Sequence, residues 1–224
     1  MLKVEWYKLL HSKSMAFFVC FIIFGAVYLG RGLSQMGVST VDEILVNIFI
    51  DALSIMMIYF MVCSIILLNR DYSVDIYRVF IGTGVLRWKI IVAKYIIFLL
   101  FGLFLVLLNS GIAITVITYK NDVAITQSMI GKIFMYIVPY IAILSIMFLL
   151  AIVARKMIRA IIFHTIFQIV FFMSPEKMSI IHPFNLMSMI AKNEVSNYFI
   201  VMLVMIYMII CFGISYIIFC RQEF

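Results

Sequence analysis

Six runs of apolar residues, each ended by charge or by turn residues, take up most of this sequence: Met15–Gly30, Ile44–Leu68, Ile90–Thr118, Ile130–Val153, Ala160–Met173 and Tyr198–Cys220. No other feature constrains the fold as much. A bilayer core takes ~20 apolar residues per spanning helix, and inside hydrocarbon a helix satisfies every backbone hydrogen bond within its own segment. The chain is 67% hydrophobic and 12% charged over 224 residues, with a mean hydropathy of +1.22, whereas about a quarter of the residues in soluble domains are charged. These observations predict an all-α polytopic membrane protein, one membrane domain over residues 1–224 with six transmembrane helices. The fifth run is the exception. Its 14 residues at ~1.5 Å rise reach ~21 Å of a ~30 Å core.

Lys and Arg set the expected orientation, because short cytoplasmic loops are enriched in them. With the N-terminus inside, the cytoplasmic face gathers Lys3, Lys8 and Lys13, then Arg70, Arg78, Arg87, Lys89 and Lys94, then Arg155, Lys156 and Arg159, and finally Arg221. Only Arg31, Lys120, Lys132, Lys177 and Lys192 fall on the outer side. The net charge of +7 therefore reports topology and contact with anionic membrane lipids. Nucleic acid is excluded as a partner, since it would need a basic soluble face.

The opening MLKVEWYKLLHSKSMAFF has a basic region before an apolar run, as a secretory signal does, but no small-x-small cleavage pattern follows and many further spans do. Residues 1–14 instead predict an interfacial helix, with Leu2, Trp6, Leu9 and Leu10 on one face and Lys3, Lys8 and His11 around the others. Cys20, Cys63, Cys211 and Cys220 lie in or at the ends of apolar runs without CxxC spacing, as small packing residues do. There is no HExxH and no GxxxxGK[ST] loop, so no metal or cofactor is expected.

Residues 69–94, NRDYSVDIYRVFIGTGVLRWKIIVAK, mix charge with apolar side chains at helical spacing. Tyr72, Ile76, Val79 and Phe80 fall on one side of a helix over 71–80, and Asp71, Asp75, Arg78 and Gly82 on the opposite side. Gly82 and Gly84 permit a turn, and Arg87, Trp88 and Lys89 mark re-entry into the inner leaflet. Residues 69–89 thus predict a cytoplasmic loop holding a short amphipathic helix between two spans.

Ionisable and polar groups inside the spans raise a separate question. Asp51 lies ~10 Å inside the second run, with Asn47 and Ser54 on the same face. An acid at that depth faces protein or water rather than lipid. It is either a polar wall of a transport path or an interhelical contact. His164 and Gln168, one turn apart on the fifth run, have the same two readings.

Three stretches resemble the membrane subunit of an ATP-binding-cassette exporter of the second exporter class, in its small six-span bacterial form. KVEWYKLLHSKS resembles the family's interfacial elbow helix, with Glu5, Lys8 and Leu9 at matching places. RVFIGTGVLRWKIIVAK resembles the stretch after its coupling helix, through Gly84, Arg87 and Lys94. The short fifth run followed by SPEKMSIIHPFNLMSMIAKNEVSNY resembles the family's outer re-entrant hairpin, here residues 174–197. Asp71 stands where the family has a Glu, and Ser73-Val74 where it has a Gly-Thr pair.

The resemblance implies a permease in the bacterial cytoplasmic membrane with both termini inside. It implies partnership with a cytosolic ATP-binding subunit and with a second permease copy or a relative. Asp71, Tyr72, Asp75, Ile76, Arg78, Val79 and Phe80 would contact the ATPase. The chain itself would be no enzyme, since ATP is bound by the partner. Cargo in such permeases is an amphipathic peptide of the bacteriocin or lantibiotic kind, exported or countered for immunity, or a drug or lipid. Two other classes remain: a membrane-embedded solute-binding module of an uptake transporter, and an intramembrane enzyme, which would need more than Asp51 and His164 on separate spans.

Overall fold

A computed structural model describes residues 2–35, 45, 48–49, 53–121, 127–173, 186, 189–190 and 196–222. Among these the regular structure is helical throughout. Helix α1 (Leu2–Leu10) leads into α2 (Lys13–Gln35). Helix α3 (Leu53–Ser64) continues through a π turn, Ile65–Asn69, into α4 (Arg70–Ser73). The short α5 (Ile76–Gly82) precedes α6 (Arg87–Asn121), α7 (Gln127–Ala154), α8 (Met157–Met173) and α9 (Asn197–Arg221).

Among the described residues, five stretches are long and apolar enough to cross a membrane: Met15–Ser34, Ile55–Tyr72, Arg87–Lys120, Ile130–Ala154 and Asn197–Arg221. This is the architecture of a polytopic helical membrane protein. The sequence predicts six spans. The remaining apolar helix, α8, gains a turn at its start relative to the expected run, and its 17 residues still make only ~25 Å. Of the expected hairpin over 174–197, most lies outside the described residues, but Leu186 is fully buried against Ala142 of α7 and Ile200, Leu203 and Val204 of α9.

Helices α3, α6 and α7 form the centre, with 61–67% of their span residues buried, against 28% in α2 and α9. Helix α2 packs along α6, and α9 along α7. The close approach of α2 to α6 depends on Gly30, where a Cβ would stand 2.9 Å from Val116 Cβ and 3.1 Å from the Ala113 carbonyl oxygen. Small residues serve this purpose in membranes, where lipid is as apolar as any side chain and helix association relies on packing. Phe17, Phe21, Phe24 and Tyr28 point outward from α2, as a lipid-facing surface does.

The expected helix over 71–80 is not continuous. It breaks at Val74–Asp75, where Asp75 takes a left-handed conformation, φ 52°, which Asp tolerates better than most residues. The break changes the phase of everything after it. Asp71, expected on the outward polar side, is buried, as is Tyr77, while Val79, expected on the apolar side, is 61% exposed. Gly84, at φ 83°, supplies the left-handed turn that leads into α6. On helix α1, Glu5 and Leu9 are buried while Leu2 and Trp6 are exposed.

Candidate functional site

Four charges from three elements meet at one end of the bundle. Lys94, one turn into the apolar body of α6, places its ammonium 2.5 Å from Glu5 of α1 and in contact with Asp71 of α4. It donates a third hydrogen bond to the Leu67 carbonyl in the π turn, at 3.0 Å. Lys8, on the turn of α1 after Glu5, lies 3.3 Å from both Glu5 and Asp71. Lys94, Glu5 and Asp71 are at most 8% exposed at the side chain, and only Lys8, at 34%, reaches solvent. Two cations face two carboxylates, so the group is neutral as a whole. Such burial is tolerable only because each charge is paired and its hydrogen-bonding capacity used.

Aromatic rings close the site. Lys8 stands over the Phe80 ring at 5.0 Å and Lys94 over Tyr77 at 5.7 Å, within the range of cation–π attraction. Tyr77 donates a long hydrogen bond to the Leu68 carbonyl, 3.4 Å. Burial pushes its phenol pKa well above the ordinary value, and neighbouring Tyr72, Asp71 and Glu5 push in the same direction.

A second set of bonds fixes the same segment to the last helix. Arg87 donates to the Cys220 and Gln222 carbonyls, at 2.5 and 2.8 Å, satisfying backbone acceptors that the end of α9 leaves open. The Tyr72 hydroxyl donates to Gln222 Oε1 at 2.8 Å, and Gln222 Nε2 donates to the Ile152 carbonyl of α7 at 3.3 Å. Residues 70–87 are thereby tied to α1, the π turn, α6 and the end of α9, and through Gln222 to α7.

The residues named from the sequence as partner contacts divide accordingly. Asp71 is buried in the ion cluster and Tyr72 is bonded to Gln222. Ile76 and Phe80 are half-buried. Asp75, Arg78 and Val79 face outward, beside the exposed Val74.

Of the polar residues proposed within the spans, Asn47 and Asp51 lie outside the described residues, as does the side chain of Ser54, whose backbone belongs to α3. His164 is fully buried where α3, α7 and α8 meet. Its Nδ1 lies 2.6 Å from the Ala160 carbonyl, and its Nε2 lies 3.1 Å from Ser64 Oγ and 3.2 Å from the Met147 carbonyl. Ser64 Oγ also lies 2.8 Å from the Met61 carbonyl, so its single proton is shared between that oxygen and the ring. Gln168 is half-buried one turn on, its Nε2 lacking a hydrogen-bond partner among the described residues.

Glu5, Lys8 and Lys94 stand out in the sequence only through a family resemblance, and nothing there places them together with Asp71. The available signal was a lone lysine inside an apolar helix, which demands a counter-charge near its own depth. Arg87 likewise stands out in the sequence, as a re-entry marker and through the resemblance, but nothing there joins it to the end of α9, and Gln222 carries no signal. No known family, curated protein or solved structure matches this chain.

Proposed function

We propose that this chain is the transmembrane subunit of an ATP-driven exporter, coupled through residues 70–87 to a separate cytosolic ATPase. One observation carries the reading: the segment is anchored by buried charges to α1 and α6 and by Tyr72 and Arg87 to the end of α9, yet turns Asp75, Arg78 and Val79 outward. That combination suits a lever. A soluble partner grips the exposed residues, and the anchors carry its movement into the membrane.

On this reading the end carrying α4 and α5 is cytoplasmic. Helix α8 and the 174–197 segment complete a sixth, partial crossing with an outer hairpin. A second copy or a related permease supplies the other half of the path, because one such segment serves one of two ATPase subunits. The partner binds and hydrolyses ATP. Cargo enters from the membrane or its inner leaflet, which favours an amphipathic peptide, drug or lipid.

The test is extraction of the tagged chain from its native membrane in mild detergent, with mass spectrometry of what accompanies it. An ATP-binding subunit is expected with the native chain and is expected to be lost from the folded Arg78→Glu/Val79→Asp variant. Absence of any ATPase, or its equal recovery with both chains, refutes the proposal.

A further inference from the structure

A cleft of about 910 Å³ opens between the α7–α8 connection and residues 71–77. One wall is Arg155, Lys156 and Arg159. The facing wall is Tyr72, Asp75 and Gln222. All three cations are exposed, and among the described residues none of them forms an ion pair. Three cations crowded into five residues repel one another. They also stand at the start of α8, whose first turn contains no acid to balance the partial positive charge there. Of the two carboxylates lining the cleft, Asp71 is taken up by Lys8 and Lys94, which leaves Asp75 against three cations. Among the described residues the cleft therefore has an excess of two positive charges.

The flanks identify what neutralises it. Met157 and Ile158, between the cations, line the cleft and are 41% and 74% exposed. The apolar surface continues along α8 through the exposed Ile161, Ile162 and Phe163. A cationic pocket beside exposed apolar side chains of α8 is complementary to a phosphate group with acyl chains attached. Arg155 and Asp75, one on each wall, are the two non-glycine residues of positive φ among those described. Backbone held in sparsely populated conformations is characteristic of ligand clamps.

We infer that this cleft binds one anionic phospholipid, its phosphate on Arg155, Lys156 and Arg159 and its chains along α8. The bound lipid fastens the α7–α8 connection to the segment that carries the ion cluster. This inference is independent of the exporter reading, since it requires no ATPase.

The test uses the purified full chain in mild detergent, with native mass spectrometry of retained lipid and thermal unfolding under added dioleoylphosphatidylglycerol or dioleoylphosphatidylcholine. Phosphatidylglycerol is expected to be retained as one molecule per chain and to raise the unfolding midpoint; phosphatidylcholine is expected to do neither. Each cation removed should weaken binding roughly fivefold, so Arg155→Gln/Lys156→Gln/Arg159→Gln should lose it by on the order of 100-fold. Lys3→Gln/Lys13→Gln/Lys89→Gln, with the same change of charge, should retain it. Arg159→Gln alone, a milder change, should show the single step should the triple variant fail to fold. Equal weakening by both triple variants would mean a diffuse surface effect and would overturn the site. Equal retention of phosphatidylcholine would do the same. Stabilisation by inorganic phosphate alone, matching that by lipid, would replace the lipid with a free phosphate ligand and overturn the assignment of source.

Discussion

Removing the ammonium of Lys94 tests the ion cluster most directly. In Lys94→Met the unbranched side chain keeps most of the volume inside α6, but the cluster changes from two cations and two carboxylates to one cation and two carboxylates. Glu5, 2% exposed, then loses its 2.5 Å partner, and Asp71, 6% exposed, loses one of its two. Lys8 reaches both carboxylates at 3.3 Å but is a third exposed, so water screens much of what it offers. Breaking a buried pair from one side costs about 3–5 kcal/mol, because a desolvated charge is left uncompensated. Neutralising the orphan should recover most of this. Lys94→Met/Glu5→Gln leaves Lys8 facing Asp71 with no net charge, and should fall within about 1 kcal/mol of the native chain, since apolar or neutral replacement of a whole buried pair is often close to neutral.

Trp6 on α1 and Trp88 at the start of α6 are the two tryptophans of the chain and flank the cluster in sequence. Unfolding in mixed micelles, followed by their fluorescence, compares the three proteins. If Lys94→Met loses less than about 1 kcal/mol, or if adding Glu5→Gln makes matters worse, the charges are not mutually dependent and the account of the site fails.

Two further measurements address the packing and the ionisation of the same structure. Gly30→Ala should destabilise the chain by about 1–3 kcal/mol in that unfolding assay, because its Cβ meets Val116 Cβ and the Ala113 carbonyl, neither of which can rotate away; Gly32→Ala, which meets nothing within 4 Å, should cost nothing measurable. The raised phenol of Tyr77 makes stability depend on alkali: unfolded tyrosine loses its proton near pH 10 while the folded one keeps it, so stability is complete below ~pH 10 and falls above it. Tyr77→Phe should flatten that fall, and an unchanged slope would show that the ring titrates freely.

The apolar runs made the spans legible because hydrophobic length is a local property. The start of α6 lies within one turn of its expected place, and α7 ends one residue beyond it. The charged segment was legible as an interruption but not in its orientation. Nothing in Val74-Asp75 announces a left-handed residue, and one such residue is enough to turn Val79 outward; Asp71, before the break, is drawn inward by Lys94. Helix α1 shows the same limit from another side. Its apolar stripe marks the interfacial face but gives no sign that Glu5 turns inward to pair with Lys94. Both departures arise from contacts between residues far apart in the chain, which periodicity does not register.

The partners of Lys94 have a consequence for how the protein is made. Glu5, Leu67, Asp71 and Tyr77 all precede it in the chain. Synthesis proceeds from the N-terminus, so both counter-charges have left the ribosome before the helix bearing the cation is complete. Lys94 thus meets two anions made before it, and with Lys8 the four charges of the cluster are neutral together. The bonds from Tyr72 and Arg87 to Cys220 and Gln222 reach the end of α9, so they close only after that helix has been made.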